Sequence, residues 1–167
     1  MDRKTLIWIA IGLGVLALFV GGGFYVANII DERSLRLALR AAATRAGINP
    51  DWLDAIAKQE SGWNPRAVNM GAADAKYGGA YGITQMLWTN VQKMGWTGTK
   101  EEFLANPQAQ VDLAVRFAAD GPRTSASDFA AWWNSGRRTA AAAPSITKTD
   151  YLPKYASNLT YVQQNPV

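Results

Sequence analysis

Asn49-Pro50-Asp51-Trp52-Leu53-Asp54-Ala55-Ile56-Ala57-Lys58-Gln59-Glu60 is followed at once by Ser61-Gly62-Trp63-Asn64-Pro65-Arg66-Ala67. The first half reads as a helix. Asn49 is a cap, Pro50 suits the first helical position, and Asp51 places an acid in the first turn. Leu53, Ile56 and Ala57 form its apolar stripe. Glu60 lies four residues after Ile56 and seven after Leu53, so it shares that stripe. A carboxylate at the end of a buried stripe is unusual. It is either a group whose pKa is raised by desolvation, as a general acid requires, or a helix-end Glu paired with an Arg. Periodicity alone does not choose between them.

Toward the N-terminus, Ser34 to Ala46 is rich in Leu, Ala and Arg and reads as a helix stopped by Gly47. Residues 31–48 are expected to form a stalk helix. Leu6 to Ile30 contains no charged residue. At about 25 residues it is long enough to span a bilayer with some tilt, and Trp8 and Tyr25 lie near its ends as interfacial aromatics do. Its apolar run exceeds that of a cleaved leader and lacks a convincing Ala-x-Ala site. Residues 6–30 are therefore expected to be a retained transmembrane anchor with the lipid bilayer as partner. Arg33, Arg36, Arg40 and Arg45 follow the segment closely. Counting basic residues places the C-terminal part in the cytoplasm, against the side that the functional reading below requires.

Toward the C-terminus, Gly62 to Gly79 has no helical period and reads as a loop. Thr84 to Met94 reads as helical. Thr99-Lys100-Glu101-Glu102 is a capping box. Asn106-Pro107 opens a helix that ends at Gly121, and Ser127-Asp128 opens another through Trp133. Arg137 to Pro144 reads as a loop, and a last short helix falls within Thr149 to Tyr161. Strand alternation is scarce, so the expected class is mainly α.

The chain has 167 residues and no Cys or His. Disulfides, thiolate nucleophiles, Cys-ligated metals and Ser-His-Asp or Cys-His catalysis are thereby excluded. A metal would need oxygen ligands, and no EF-hand or P-loop spacing supplies them. No cofactor and no metal site are expected. The net charge of +4 suits anionic surfaces, cell-wall polymer included. Lys and Arg are scattered, with Arg137-Arg138 the longest run, so no specific nucleic-acid partner is expected.

Three stretches resemble one family. Glu60-Ser61-Gly62-Trp63-Asn64-Pro65-Arg66-Ala67 resembles the Glu-Ser-x-x-Asn-Pro-x-Ala signature of soluble-lytic-transglycosylase-type domains. Gly79-Ala80-Tyr81-Gly82-Ile83-Thr84-Gln85-Met86 is similar to that family's Gly-Ala-x-Gly-Leu-Met-Gln. Ala131-Trp132-Trp133-Asn134-Ser135-Gly136 is similar to its Ala-Tyr-Asn-Ala-Gly. They occur in the family's order, and the resemblance covers roughly Asn49 to Asn158. It implies a small lysozyme-like α-helical domain, expected over residues 49–162, that cuts peptidoglycan glycan strands. Glu60 would be the sole catalytic acid and base at the bond from N-acetylmuramic acid to N-acetylglucosamine, closing a 1,6-anhydro ring. Ser61 and Gln85 would hydrogen-bond the site and the sugar, and Asn134 would fix the third motif.

Glycines 78, 79 and 82 permit close backbone approach. Among the aromatic residues Tyr81 and Trp133 are expected to line the substrate site, as flat faces suited to pyranose rings. Two departures stand out. Thr84 replaces the family's Met, and Trp133 replaces its Tyr, which removes a hydroxyl near the site and with it the role a tyrosine has there in the family; Tyr151 or Tyr155 could substitute. Asp74, on the Gly- and Ala-rich loop, could position a water as aspartates do in goose-type lysozymes. That yields two rival readings: a true hydrolase using Glu60 and Asp74, and a wall-docking structural module without turnover. The settings expected for an anchored wall-cutting domain are a bacteriophage particle or virion, a conjugation or secretion machine with other subunits as partners, or a bacterial inner membrane with the domain in the periplasm.

Overall fold

The computed structural model describes residues 15–20, 23–28 and 31–167. It is mainly helical from residue 31 onward. Strands β1 (Val15–Val20) and β2 (Gly23–Asn28) pair antiparallel, Val15 opposite Asn28 and Val20 opposite Gly23. The described part of the expected membrane anchor is thus a two-stranded ribbon and not a helix. Its Val, Phe and Tyr content favours strand, and Gly23 disfavours helix. The rest of the expected anchor lies outside the described residues. No helix among the described residues is long and apolar enough to cross a membrane.

Helix α1 (Glu32–Arg45) is capped by Asp31, whose side chain accepts from the Ser34 N–H. It is not a free stalk. Leu35, Leu39, Ala42 and Ala43 are buried in the common core, and the helix packs on α2 (Pro50–Ser61) and on α6, described below. The Leu35/Leu39/Ala42 spacing is an apolar stripe, which requires a partner surface. Arg36, buried on the same side, finds its partner in Asp54 of α2.

Helix α2 begins as expected, with Asn49 accepting from the Asp51 N–H and Pro50 at the first position. It closes at Gly62, left-handed at φ 62°. Trp63 follows in the same region at φ 63°, which costs a non-glycine residue about 1–2 kcal/mol. Its side chain offsets this. The indole Nε1 donates to Asp54 Oδ1 at 2.7 Å, and Arg36 and Lys58 lie 4.4 and 4.5 Å from the ring centre.

The stretch expected to be a plain loop contains β3 (Val68–Asn69) and the single-turn helix α3 (Ala72–Ala75). β3 pairs with β4 (Ala80–Tyr81), which pairs with β5 (Met86–Leu87), making a small antiparallel sheet. The helix expected over Thr84–Met94 starts later, as α4 (Trp88–Lys93). Positive φ at Gly82 (78°) and Gln85 (48°) makes a hairpin turn where a helix was expected. Helices α5 (Lys100–Leu104), with the expected Thr99/Glu102 capping box, α6 (Pro107–Ala118) and α7 (Ala126–Ser135) follow.

The last helical segment is longer than expected. A π-turn, Thr147–Tyr151, runs into α8 (Leu152–Gln164). Pro153 accounts for the widening: it has no N–H to offer the Thr149 carbonyl, and its ring would press on that carbonyl in a continuous α-helix. α8 lies along α2, and α7 packs on both α8 and the π-turn. The last turn of α2 is linked by hydrogen bonds to Tyr151 at the end of the π-turn and to Ile83 in the turn after β4.

Candidate active site

Glu60 occupies the final turn of α2 and is partly buried. The Tyr151 hydroxyl donates to Glu60 Oε1 at 2.6 Å. Burial disfavours the carboxylate form and pushes the Glu60 pKa up to about 7. The Tyr151 hydrogen bond pulls it down, and the nearby charge of Asp74 pushes it up. No Arg or Lys pairs with Glu60 among the described residues, so the helix-end ion pair is not what this position holds. A carboxyl group with this pKa is protonated in a large fraction of molecules near neutrality, as a general acid must be.

The residues expected beside Glu60 divide into two groups. Ser61 Oγ donates to Ile83 O at 2.7 Å and lies 3.3 Å from Ala57 O, so it ties the end of α2 to the turn after β4. Gln85 Nε2 donates to Ala67 O (3.1 Å) and Gly82 O (2.9 Å), which stitches that turn to the chain leading into β3. Gly82 N–H also donates to Ala67 O. The first two motifs therefore form one hydrogen-bonded unit that joins α2 at Ser61, the residue after Glu60. Asn134 stands at the exposed end of α7, and its Oδ1 accepts from the Thr147 hydroxyl at 2.8 Å. It holds the first residue of the π-turn that carries Tyr151. Asp74 bears on the charge of Glu60, but no hydrogen bond or ion pair to its own carboxylate is present among the described residues.

Tyr81 and Trp133 are placed differently from expectation. Tyr81 is only 5% exposed, its hydroxyl donates to Gly78 O at 3.0 Å, and its ring meets Trp88 edge-on at 5.5 Å. It braces the glycine loop from within and does not offer a sugar-facing surface. Trp133 is half-buried and packs edge-on against Phe117 at 5.2 Å and beside Phe129 at 6.3 Å. Its aromatic character is explained by the core in which it sits. Of the two tyrosines that could replace the missing phenol, Tyr151 reaches Glu60, whereas the Tyr155 hydroxyl donates to Trp52 O. Burial, then the neighbouring Glu60 carboxylate, raises the Tyr151 pKa, so its proton stays on as a donor.

Gln110 was not singled out by its sequence, yet it organises the second motif. Its Oε1 accepts from the Ile83 N–H at 2.9 Å, and its Nε2 donates to Pro65 O (3.0 Å) and Phe103 O (2.9 Å). A Cβ at Gly82 would run into Gln110 Oε1, so glycine is required there by close approach as well as by φ. The signal was readable: Gln110 lies on the α6 stripe with Pro107, Val111 and Ala114, where a polar side chain must find partners. Asp54 was also missed. It is fully buried and receives Arg36, Arg40 and the Trp63 indole.

The family model for the transglycosylase SLT domain matches residues 38–121, half of the chain. The match opens within α1, takes in Glu60 and the whole small sheet, and closes after α6. The third motif and Tyr151 lie beyond it. No curated protein and no solved structure matches the chain significantly. The chain belongs to the transglycosylase SLT domain family, and it is a peptidoglycan lytic transglycosylase.

Proposed function

We propose that Glu60 acts alone as acid and base at the bond joining N-acetylmuramic acid to N-acetylglucosamine. The protonated carboxyl gives its proton to the bridging oxygen as that bond breaks. The carboxylate then takes the proton of the muramic 6-hydroxyl, whose oxygen bonds to the anomeric carbon and closes a 1,6-anhydro ring. Glu60 ends protonated again, and no water is consumed. The observation that carries this reading is the Glu60 carboxyl, desolvated and bonded to the Tyr151 hydroxyl. A paired-carboxylate hydrolase needs a second acid held at a defined separation. Asp54 and Asp51 are engaged by arginines. A nucleophile tethered within the substrate starts with a large proximity advantage over free water.

Asp74 favours the hydrolytic alternative in one respect: its charge reaches Glu60. Fragment mass from purified peptidoglycan digested with the full chain separates the two. Anhydro ends are about 18 mass units lighter than hydrolysed ends, since water is not added. The expected result is anhydro ends from both the native chain and Asp74→Asn, with lysis falling as pH rises through about 7. In Asp74→Asn that fall begins at lower pH, because the neighbouring negative charge that raises the Glu60 pKa is gone. Hydrolysed ends that disappear in Asp74→Asn would instead make Asp74 the water-positioning base.

We assign the uncharged run of residues 6–30 to bilayer attachment, which places the wall-cutting domain at a bacterial membrane or in the entry apparatus of a virion. Local opening of the wall by an envelope-crossing machine or phage particle is the use this arrangement suits. Its support is the lack of charge across the run. The full chain is expected to stay with membranes after carbonate washing, and its release into the wash would remove the assignment.

A further inference from the structure

Gln59 and Glu60 are consecutive on α2, and both hold Tyr151. Glu60 Oε1 accepts from its hydroxyl, while Gln59 Nε2 donates to its backbone carbonyl at 3.1 Å. The other end of the Gln59 amide is also engaged: Oε1 accepts from Asn158 Nδ2 of α8 at 2.9 Å. The amide therefore bridges α2, the end of the π-turn and the helix that follows. At the start of the turn the buried Thr147 hydroxyl donates to Asn134. A π-turn is a wide and uncommon backbone form that persists where its surroundings hold it, and such turns concentrate at functional sites. This one is held at both ends by uncharged side chains, and between those ends it delivers a phenol to a carboxylate.

We propose that Gln59 is a positioning residue: its amide, backed by Asn158, holds the π-turn so that the Tyr151 hydroxyl lies on the Glu60 carboxyl. The inference rests on the reading of Glu60 as the acid. The groups that bear on the charge of Glu60 are Tyr151 from the π-turn and Asp74 from the loop bearing α3; Tyr155 of α8 bears on Tyr151. Gln59, Asn158, Thr147 and Asn134 carry no charge, so replacing them removes no Coulombic influence on Glu60; the double variant Gln59→Leu/Tyr151→Phe separates an effect through Tyr151 from a change in the burial of Glu60. A donor to the carboxylate lowers its pKa, so losing the donor raises it.

The test uses the full chain, with the pH dependence of lysis of solubilised peptidoglycan and the titration of the Glu60 carboxyl followed by carbon NMR. Tyr151→Phe sets the reference: the alkaline limb and the Glu60 titration move up by about one pH unit. Gln59→Leu and the milder Asn158→Ala are expected to move both in the same direction. Turnover at pH 6 should drop about tenfold with KM unchanged, because the carboxyl is less well aimed. The double variant Gln59→Leu/Tyr151→Phe should titrate as Tyr151→Phe does. Wild-type titration of Glu60 in Asn158→Ala and in Gln59→Leu overturns the proposal, and so does an additive shift in the double variant. Failure of the underlying reading looks different: Glu60→Gln would retain lysis whatever the titrations show.

Discussion

Glu60→Gln is expected to lose wall lysis by about 10²–10⁴-fold, the usual cost of removing a general acid, and to unfold at higher temperature than the native chain above neutral pH. Both effects have one cause. The Glu60 pKa is about 7 in the folded protein, against an ordinary 4.5. Between those values the folded state binds more protons than the unfolded state, so stability falls as pH rises from 4.5 to 7. Below 4.5 the buried acid is neutral in both states and costs nothing extra. Above 7 the full penalty is present, at most about 3.5 kcal/mol for a shift of about 2.5 pH units at roughly 1.4 kcal/mol per unit. An amide has no charge to desolvate, and its oxygen still accepts from Tyr151. The gain in melting temperature should be several degrees at pH 8 and should vanish near pH 4. Thermal denaturation of both proteins at the two pH values checks this. Equal melting temperatures at pH 8 would mean that the carboxyl is not desolvated, and retained lysis would mean that it is not the acid.

What could be read from the chain beforehand follows from how local the signals are. The caps at Asn49, Thr99 and Asn106 act within three residues, so the starts of α2, α5 and α6 were legible. The shared face of Leu53, Ile56 and Glu60 is a property of one helix and led directly to the carboxyl. Partners from distant segments were not legible. Nothing local to Tyr151 shows that its hydroxyl reaches Glu60, and the apolar stripe of α1 shows that it needs a partner surface but not that the partners are α2 and α6. Tyr81 and Trp133 show the limit of reading aromatics. A flat apolar face suits a sugar and a core equally well, and the contacts with Phe117, Phe129 and Trp88 show the core side of these rings, which no local signal announces. The hairpin over Ala80–Leu87 was hidden because its turn is set by φ at Gln85, a residue whose type does not announce a positive φ.

Asp54→Ala should be the most destabilising single change in the domain, at about 3–5 kcal/mol. Asp54 is fully buried and Arg36 is only 4% exposed. Arg36 donates to Asp54 through Nε and Nη2, Arg40 adds a bond at 3.1 Å, and the Trp63 indole a fourth donor at 2.7 Å. Removing the carboxylate leaves a buried guanidinium with the Asn165 carbonyl and a Glu32 oxygen 3.9 Å away. It also orphans an indole N–H that helps hold Trp63 left-handed three residues after Glu60. Asp54→Asn keeps an oxygen that accepts from Trp63 but turns an NH2 donor toward the N–H donors of Arg36 and Arg40, so it should recover only the Trp63 part of the loss. The paired change Asp54→Leu with Arg36→Met removes both charges, and should recover much of the loss if the penalty is the stranded cation. Chemical denaturation of the four proteins separates the cases through their midpoints at a common slope. A double variant no more stable than Asp54→Ala would mean instead that the Trp63 indole, and not Arg36, is the partner that Asp54 is needed for.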